Sequence, residues 1–363
     1  MNRQPLGLLS RRALLLAAGA AGATAGIPLT TWALPPRTLQ FPRDFGSHPE
    51  LKTEWWYITG HARNAAGREF GFQLTFFRSR IDATQAIRSN FAAKQLIFAH
   101  AAITDLEGRV LLHDQRIARA GFGVASASEA DTDVRLRDWS LVRRSDGRYD
   151  ARIPATGFAL DLRFQPTQPV LLQGDRGLSR KGPEAAQASY YYSVPQLATA
   201  GRLTLKGQVF EVTGAAWLDH EVSDALMHPE AVGWDWIGMN LDDGGALTAF
   251  HLRRSDGTGL WAGGSLRTRD GVLRVFRPDE VRFTAEAAWT SPRTQARYPT
   301  RWRVQTPGGS FSVRALLDDQ ELDSRGSTGG VYWEGLSELL DAAGQRVGRG
   351  YLEMTGYAAP LRL

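Results

Sequence analysis

Cysteine is missing from all 363 residues. That excludes disulfides and thiolate metal sites, so stability in any compartment must come from burial and hydrogen bonding. Long stretches of helical periodicity are also scarce, and no long block of lysine or arginine occurs. The net charge of +5 is therefore spread along the chain, which argues against nucleic acid as a partner. No Gly-x-Ser-x-Gly elbow and no dinucleotide fingerprint are found, which leaves no cofactor to expect. The seven histidines (His48, His61, His100, His113, His220, His228 and His251) include no helical His-x-x-x-His pair, and no metal is expected. What is abundant is tryptophan, with 11 residues, and glycine, with 38. That pairing suits twisted sheets with tight hairpins and aromatic interiors.

The first segment carries Arg11-Arg12 before an Ala/Gly/Leu run ending near Ile27. The run is short of the roughly 20 residues a spanning helix needs. The paired arginines and the small residues up to Ala33 match a twin-arginine export signal over residues 1–33, and so a periplasmic or secreted protein.

After the leader the chain reads in period two, broken by glycine turns. Glu54-Trp55-Trp56-Tyr57-Ile58-Thr59-Gly60 and Phe70–Phe77 form one hairpin. Ser145-Asp146-Gly147-Arg148 and Ser255-Asp256-Gly257-Thr258 read as further hairpin turns. The second half echoes the first: Val209–Gly214 matches Tyr351–Gly356, Tyr190-Tyr191 matches Tyr332-Trp333, and the Trp55-Trp56 hairpin matches Trp234-Asp235-Trp236. Two tandem antiparallel units follow, over residues 38–222 and 226–363, each a barrel because closure removes exposed edges. On this alignment Asp219-His220-Glu221 has no acidic or histidine counterpart in the second unit, where the chain runs on into Tyr357-Ala358-Ala359-Pro360.

The motifs Glu54–Gly60, Trp217-Leu218-Asp219-His220-Glu221, Trp234-Asp235-Trp236 and Gly350–Tyr357 resemble those of the AttH/CrtC lipocalin-like family. Its members include carotenoid 1,2-hydratases and exported relatives described as secreted hydrolases or transport accessories. The resemblance runs from about Phe41 to the end. It implies an all-β chain of two consecutive lipocalin-like barrels around an apolar small molecule, a lipid, isoprenoid or polyene. It leaves room for association with a membrane or an ABC transporter.

Asp219, His220 and Glu221 are the candidate catalytic residues, at the junction of the two units. Alternation would turn Asp219 and Glu221 one way and His220 the other. A hydratase must protonate carbon, which needs an acid of raised pKa in an apolar pocket and aromatic faces for the cation. Asp219 is the residue for the acid, with His220 to orient it or activate water. Glu54, Trp55, Trp56, Tyr57, Trp217, Trp234, Trp236, Tyr332 and Trp333 are the candidate ligand contacts. Two other readings stand beside this one: the junction cluster as an inter-domain clasp, and the whole protein as a carrier without catalysis.

Overall fold

The computed structural model describes residues 33–225 and 227–361, so the leader read at 1–33 lies outside them but for Ala33. Apart from three short 3-10 turns, every regular element described is a strand. The local reason is visible in Phe158–Gln165, where Phe158, Leu160, Leu162 and Phe164 are buried and Asp161, Arg163 and Gln165 are exposed. Both Asp-Gly turns form. Gly147 and Gly257 take φ of 87° and 82°, and Asp146 and Asp256 each accept the backbone N–H two residues on.

Thirteen antiparallel strands between Thr53 and Ser223 make the first sheet. Its first strand, Thr53–Arg63, lies between Glu69–Arg80 and Gln208–Ser223. The two ends of the sheet come round to each other: Ala125–Ala127 and Asp133–Leu136 pack on Gln95–Asp105, and Asp133–Leu136 also on Val110–Arg119, so the barrel nearly closes. Ten strands between Gly233 and Met354 make the second sheet, with Leu273–Phe276 and Arg282–Thr290 as its unpaired edges. The result is an all-β, tandem lipocalin-like fold.

Three apolar clusters hold it together. One fills the first barrel around Trp56, Phe72, Trp139 and Phe164. A second fills the other barrel around Ile237, Trp302, Trp333 and Leu352. The third lies between the sheets, with Tyr57, Trp217, Trp236, Phe250, Leu336 and Tyr351. Strand Thr53–Arg63 is therefore covered on both faces, and burial along it is nearly continuous from Glu54 to Ala62.

The strand register corrects the internal alignment. Glu54 and Asp235 are the inward carboxylates at the start of each unit's first strand. Glu54 sits opposite Val222, and Asp235 opposite Met354. On that footing Asp219-His220-Glu221 corresponds to Tyr351-Leu352-Glu353, not to the segment after Gly356. Strand Gln208–Ser223 continues nine residues beyond Gly214, whereas Arg346–Met354 stops before Gly356. The Glu-x-Thr-Gly echo marks opposite ends of the two barrels. Glu221 does have an acidic counterpart, Glu353.

Candidate functional site

Asp219, His220 and Glu221 do not form one cluster. The strand's alternation sends His220 into the first barrel and the two carboxylates towards the second.

Inside the first barrel His220 joins a sealed ionic group. Glu54 is fully buried, and five donors hold it, the weakest the Ser47 hydroxyl at 3.3 Å from Oε2. Its Oε1 accepts from His48 Nδ1 at 2.7 Å and His220 Nε2 at 2.9 Å. Its Oε2 accepts from Arg78 Nε at 2.8 Å and the His48 backbone at 2.9 Å. Register places Arg78 directly opposite Glu54, and His220 opposite Trp56, which stacks on the imidazole at 4.7 Å. His48 Nε2 meets Asp44 Oδ1 at 2.8 Å, and Arg37 pairs with the same oxygen at 2.7 Å. Burial alone would raise the Glu54 carboxyl. The hydrogen bonds from His220 and His48, with the charge of Arg78, outweigh it and hold Glu54 well below the usual range. Burial also opposes a charge on His48, yet Asp44 and Glu54 together raise it. Burial lowers His220, leaving a neutral ring that donates to Glu54 and accepts from the Tyr192 hydroxyl at 2.9 Å.

His48, Glu54 and His220 bring three ligand atoms within 4.8 Å of one another. Arg78 and Arg37 already neutralise the two carboxylates, so this group is satisfied by its own cations. The adjoining cavity is only about 10 Å³.

Between the barrels the arrangement differs. Asp219 accepts from the Trp217 indole at 2.7 Å, Ser193 at 2.5 Å and Tyr191 at 2.8 Å. Burial outweighs these donors, and Glu221 adds to it, so Asp219 is raised to about 7. Glu221 bonds Ser189 and pairs with Lys181 at 2.8 Å. The Lys181 ammonium lies over the rings of Tyr191 and Phe250, joining the two sheets. Across the gap Glu334 and Glu353 stand opposite each other in register. Burial raises both, and for Glu334 the charge of Glu353 adds to it. In this layer Tyr57 Oη and Glu334 Oε1 are buried beside each other, and neither makes a well-formed hydrogen bond to a described residue. Buried polar atoms are rarely left so, and such a pair marks a place for a polar ligand group or water.

The aromatic candidates divide likewise. Tyr57, Trp217 and Trp236 meet between the sheets, with Trp236 edge-on to Tyr57 at 5.5 Å and to Trp217 at 6.4 Å. Trp55 and Trp234 are partly buried at the margin of that layer. Tyr332 also belongs to the junction, its hydroxyl 2.9 Å from His100 Nδ1. Trp56 and Trp333, two of the candidate ligand contacts, lie apart from each other. They are core residues of separate barrels, their indoles bonded to the Phe45 and Asp318 carbonyls. Glu54 likewise is an ion-pair centre of the first barrel. Sequence reasoning missed Asp44, His48 and Arg78 as partners of Glu54, and Glu334 and Glu353 as partners of the junction. The signal for the last two was an acid flanked by Trp or Tyr in a strand, at Trp333-Glu334 and Tyr351-Leu352-Glu353.

A family model described as AttH-like matches residues 32–357. A crystal structure of an AttH-type protein from Nitrosomonas europaea superposes with a TM-score of 0.84 at 49% identity, covering 90% of this chain and 99% of that one. Kievitone hydratase from Nectria haematococca superposes with a TM-score of 0.69 at 14% identity, covering 89% and 94%. CghA, solved with Sch210972, gives 0.54 at 14% identity, covering 84% and 88%. At that identity the last two share the fold alone. No curated protein matches.

Proposed function

The chain belongs to the AttH-like family, and from that premise we propose that it is an exported, hydratase-type protein that takes an apolar unsaturated small molecule between its barrels. The observation that carries this reading is Asp219, a carboxyl raised to about 7 among Trp217, Trp236 and Tyr191, next to a layer where two buried polar atoms lack a well-formed hydrogen bond. An acid of that strength is half-protonated near neutral pH and is suited to give a proton to carbon.

In the proposed step the Asp219 proton goes to one carbon of a C=C bond, and the other carbon becomes a cation. The faces of Trp217 and Trp236 stabilise it. Water adds its oxygen to the cation and returns a proton to the Asp219 carboxylate. The net change is one water across one double bond, with the acid regenerated. Tyr57 Oη and Glu334 Oε1 are the groups available to hold that water.

The test is to incubate the purified mature protein with an apolar extract of its host in ¹⁸O-water and follow the products by mass spectrometry. Incorporation of one labelled water, lost in Asp219→Asn while the fold persists, is expected. An Asp219→Asn variant as active as the wild type would reduce Asp219 to a clasp. A co-purifying apolar molecule that never takes label would make the protein a carrier. Export is tested separately: Arg11→Lys with Arg12→Lys should leave the precursor in the cytoplasm, and normal export of that variant would remove the localisation from the proposal.

A further inference from the structure

The second barrel holds a carboxylate–histidine pair that the reading above does not use. Asp235 is fully buried at the start of strand Gly233–Leu241, and register places His251 of strand Ala246–Arg253 opposite it. Asp235 Oδ2 meets His251 Nε2 at 2.5 Å and accepts from Arg253 Nε at 2.7 Å, and Oδ1 accepts from the Tyr357 hydroxyl at 2.8 Å. The imidazole is clamped by Phe283, stacked at 4.6 Å, and by the edge of Trp302 at 5.9 Å. Against the Asp235 carboxylate the ring donates Nε2–H, and in the neutral imidazole that tautomer leaves the lone pair on Nδ1. No residue among those described bonds that nitrogen.

His251 also borders open space. The edges of the second sheet do not pair, and strands Gly259–Arg267 and Arg282–Thr290 leave a cleft of about 320 Å³ between them. Leu260, Trp261, Val281 and Phe283 line it with His251, and Arg282 stands exposed on its rim. The size is that of a small-molecule site. Apolar side chains on one wall, one positioned acceptor and one rim cation are its chemical content, and the rest of its exposed surface is polar.

We infer that this cleft binds a flat, largely apolar molecule carrying an acidic hydroxyl, a phenol or an enol, whose O–H donates to His251 Nδ1. Its ring lies among Trp261, Phe283 and Leu260. The partial negative charge on its oxygen falls towards Arg282. An ether of the same shape offers no proton and leaves Nδ1 unpaired under an apolar cover, which costs binding.

The mature chain is titrated calorimetrically at pH 7 with 2-naphthol, which is un-ionised there, and with 2-methoxynaphthalene, its methyl ether. The phenol should bind roughly tenfold tighter, the discrimination one hydrogen bond to an otherwise unpaired acceptor gives. His251→Phe keeps the stack and should make the two ligands equal. Gly259→Trp is the second variant, in case His251→Phe fails to fold. A Cβ at Gly259 meets nothing within 4 Å, so the indole can cover the mouth without moving the core, and both ligands should weaken at least tenfold. Asp219→Asn should change neither affinity, which separates this cleft from the inter-barrel site. Equal binding of phenol and ether by the wild type, no binding up to the solubility limit, or full affinity in Gly259→Trp would each overturn the assignment.

Discussion

The two barrel mouths are built from the same materials and differ in closure. Each places a carboxylate on the inner face of its first strand, Glu54 or Asp235, and each gives it arginine and histidine from neighbouring chain. In the first barrel the sheet nearly closes, both histidines bearing on Glu54 use both ring nitrogens, and about 10 Å³ remains. In the second the sheet stays open, one imidazole nitrogen has no partner among the described residues, and about 320 Å³ adjoins it. Residue type therefore does not assign a role here. The same trio is a staple where the sheet seals it and a receptor where the sheet gapes.

The largest effect tests that contrast directly. Glu54→Ala leaves Arg78 as a buried cation without its carboxylate, and should cost about 3–5 kcal/mol in urea unfolding. Asp235→Ala strands Arg253 in the same way, but the Arg253 side chain is 8% exposed against 2% for Arg78 and the cleft lets water reach the His251 ring, so the loss should be smaller, about 2 kcal/mol. Equal losses would break the comparison.

Asp219 sharpens it from the other side, as a buried carboxyl with no cation on it. Its folded pKa lies above the ordinary 3.8, at about 7, so the folded state holds the extra proton between those values. The stability it contributes is full at low pH and falls as pH rises towards about 7. Asn keeps the acceptor for Trp217 and Ser193 and can donate to Tyr191. Asp219→Asn should therefore be more stable than wild type at pH 8, by about 2 kcal/mol, and closer to it at pH 4. A variant less stable at both pH values would mean that the ionised carboxylate is the form the junction needs.

Much of the architecture was legible in the chain. The Asp-Gly turns, the Trp55-Trp56 hairpin and the two-unit plan follow from period-two patterning and turn chemistry, which act over a few residues. The register of the repeat was not. Motif matching aligned Thr213-Gly214 with Thr355-Gly356, but strand length decides where a motif falls along a barrel, and composition does not report it. The site was half legible. Alternation correctly separates His220 from Asp219 and Glu221. The partners of Glu54 were hidden, since His48 and Asp44 come from the irregular segment before the first strand and Arg78 reaches it only through cross-strand pairing.

The His48 contribution runs in the same direction as that of Asp219, because both folded pKa values are raised, and it is Glu54 that opposes them. The folded pKa of His48 is raised above 6.5, so the stability it adds is complete below 6.5 and is lost as pH rises through the raised value. Glu54, held below the ordinary 4.5, adds stability that is present above 4.5 and lost as pH falls. The first mouth thus works best between those limits. His48→Gln should remove the alkaline loss and cost about 1 kcal/mol near pH 6, read from thermal melts across pH. An unchanged alkaline limb would place the titrating group elsewhere.

The smallest effect belongs to the rim of the junction, where Arg349 of the second sheet meets Glu69 of the first at 2.7 Å. The geometry rivals that of Glu54 with Arg78, and the charges are the same. Only exposure differs: the Glu69 side chain is 38% exposed and that of Glu54 is 0%. Water already solvates Glu69 and salt screens it, so Glu69→Gln should cost about 0.5 kcal/mol, shrinking further in 0.5–1 M salt, whereas the Glu54→Ala loss should barely respond to salt. If the rim pair proved worth as much as the sealed one, closure would not be what separates the two mouths, and the distinction between staple and receptor would have to rest on the partners themselves.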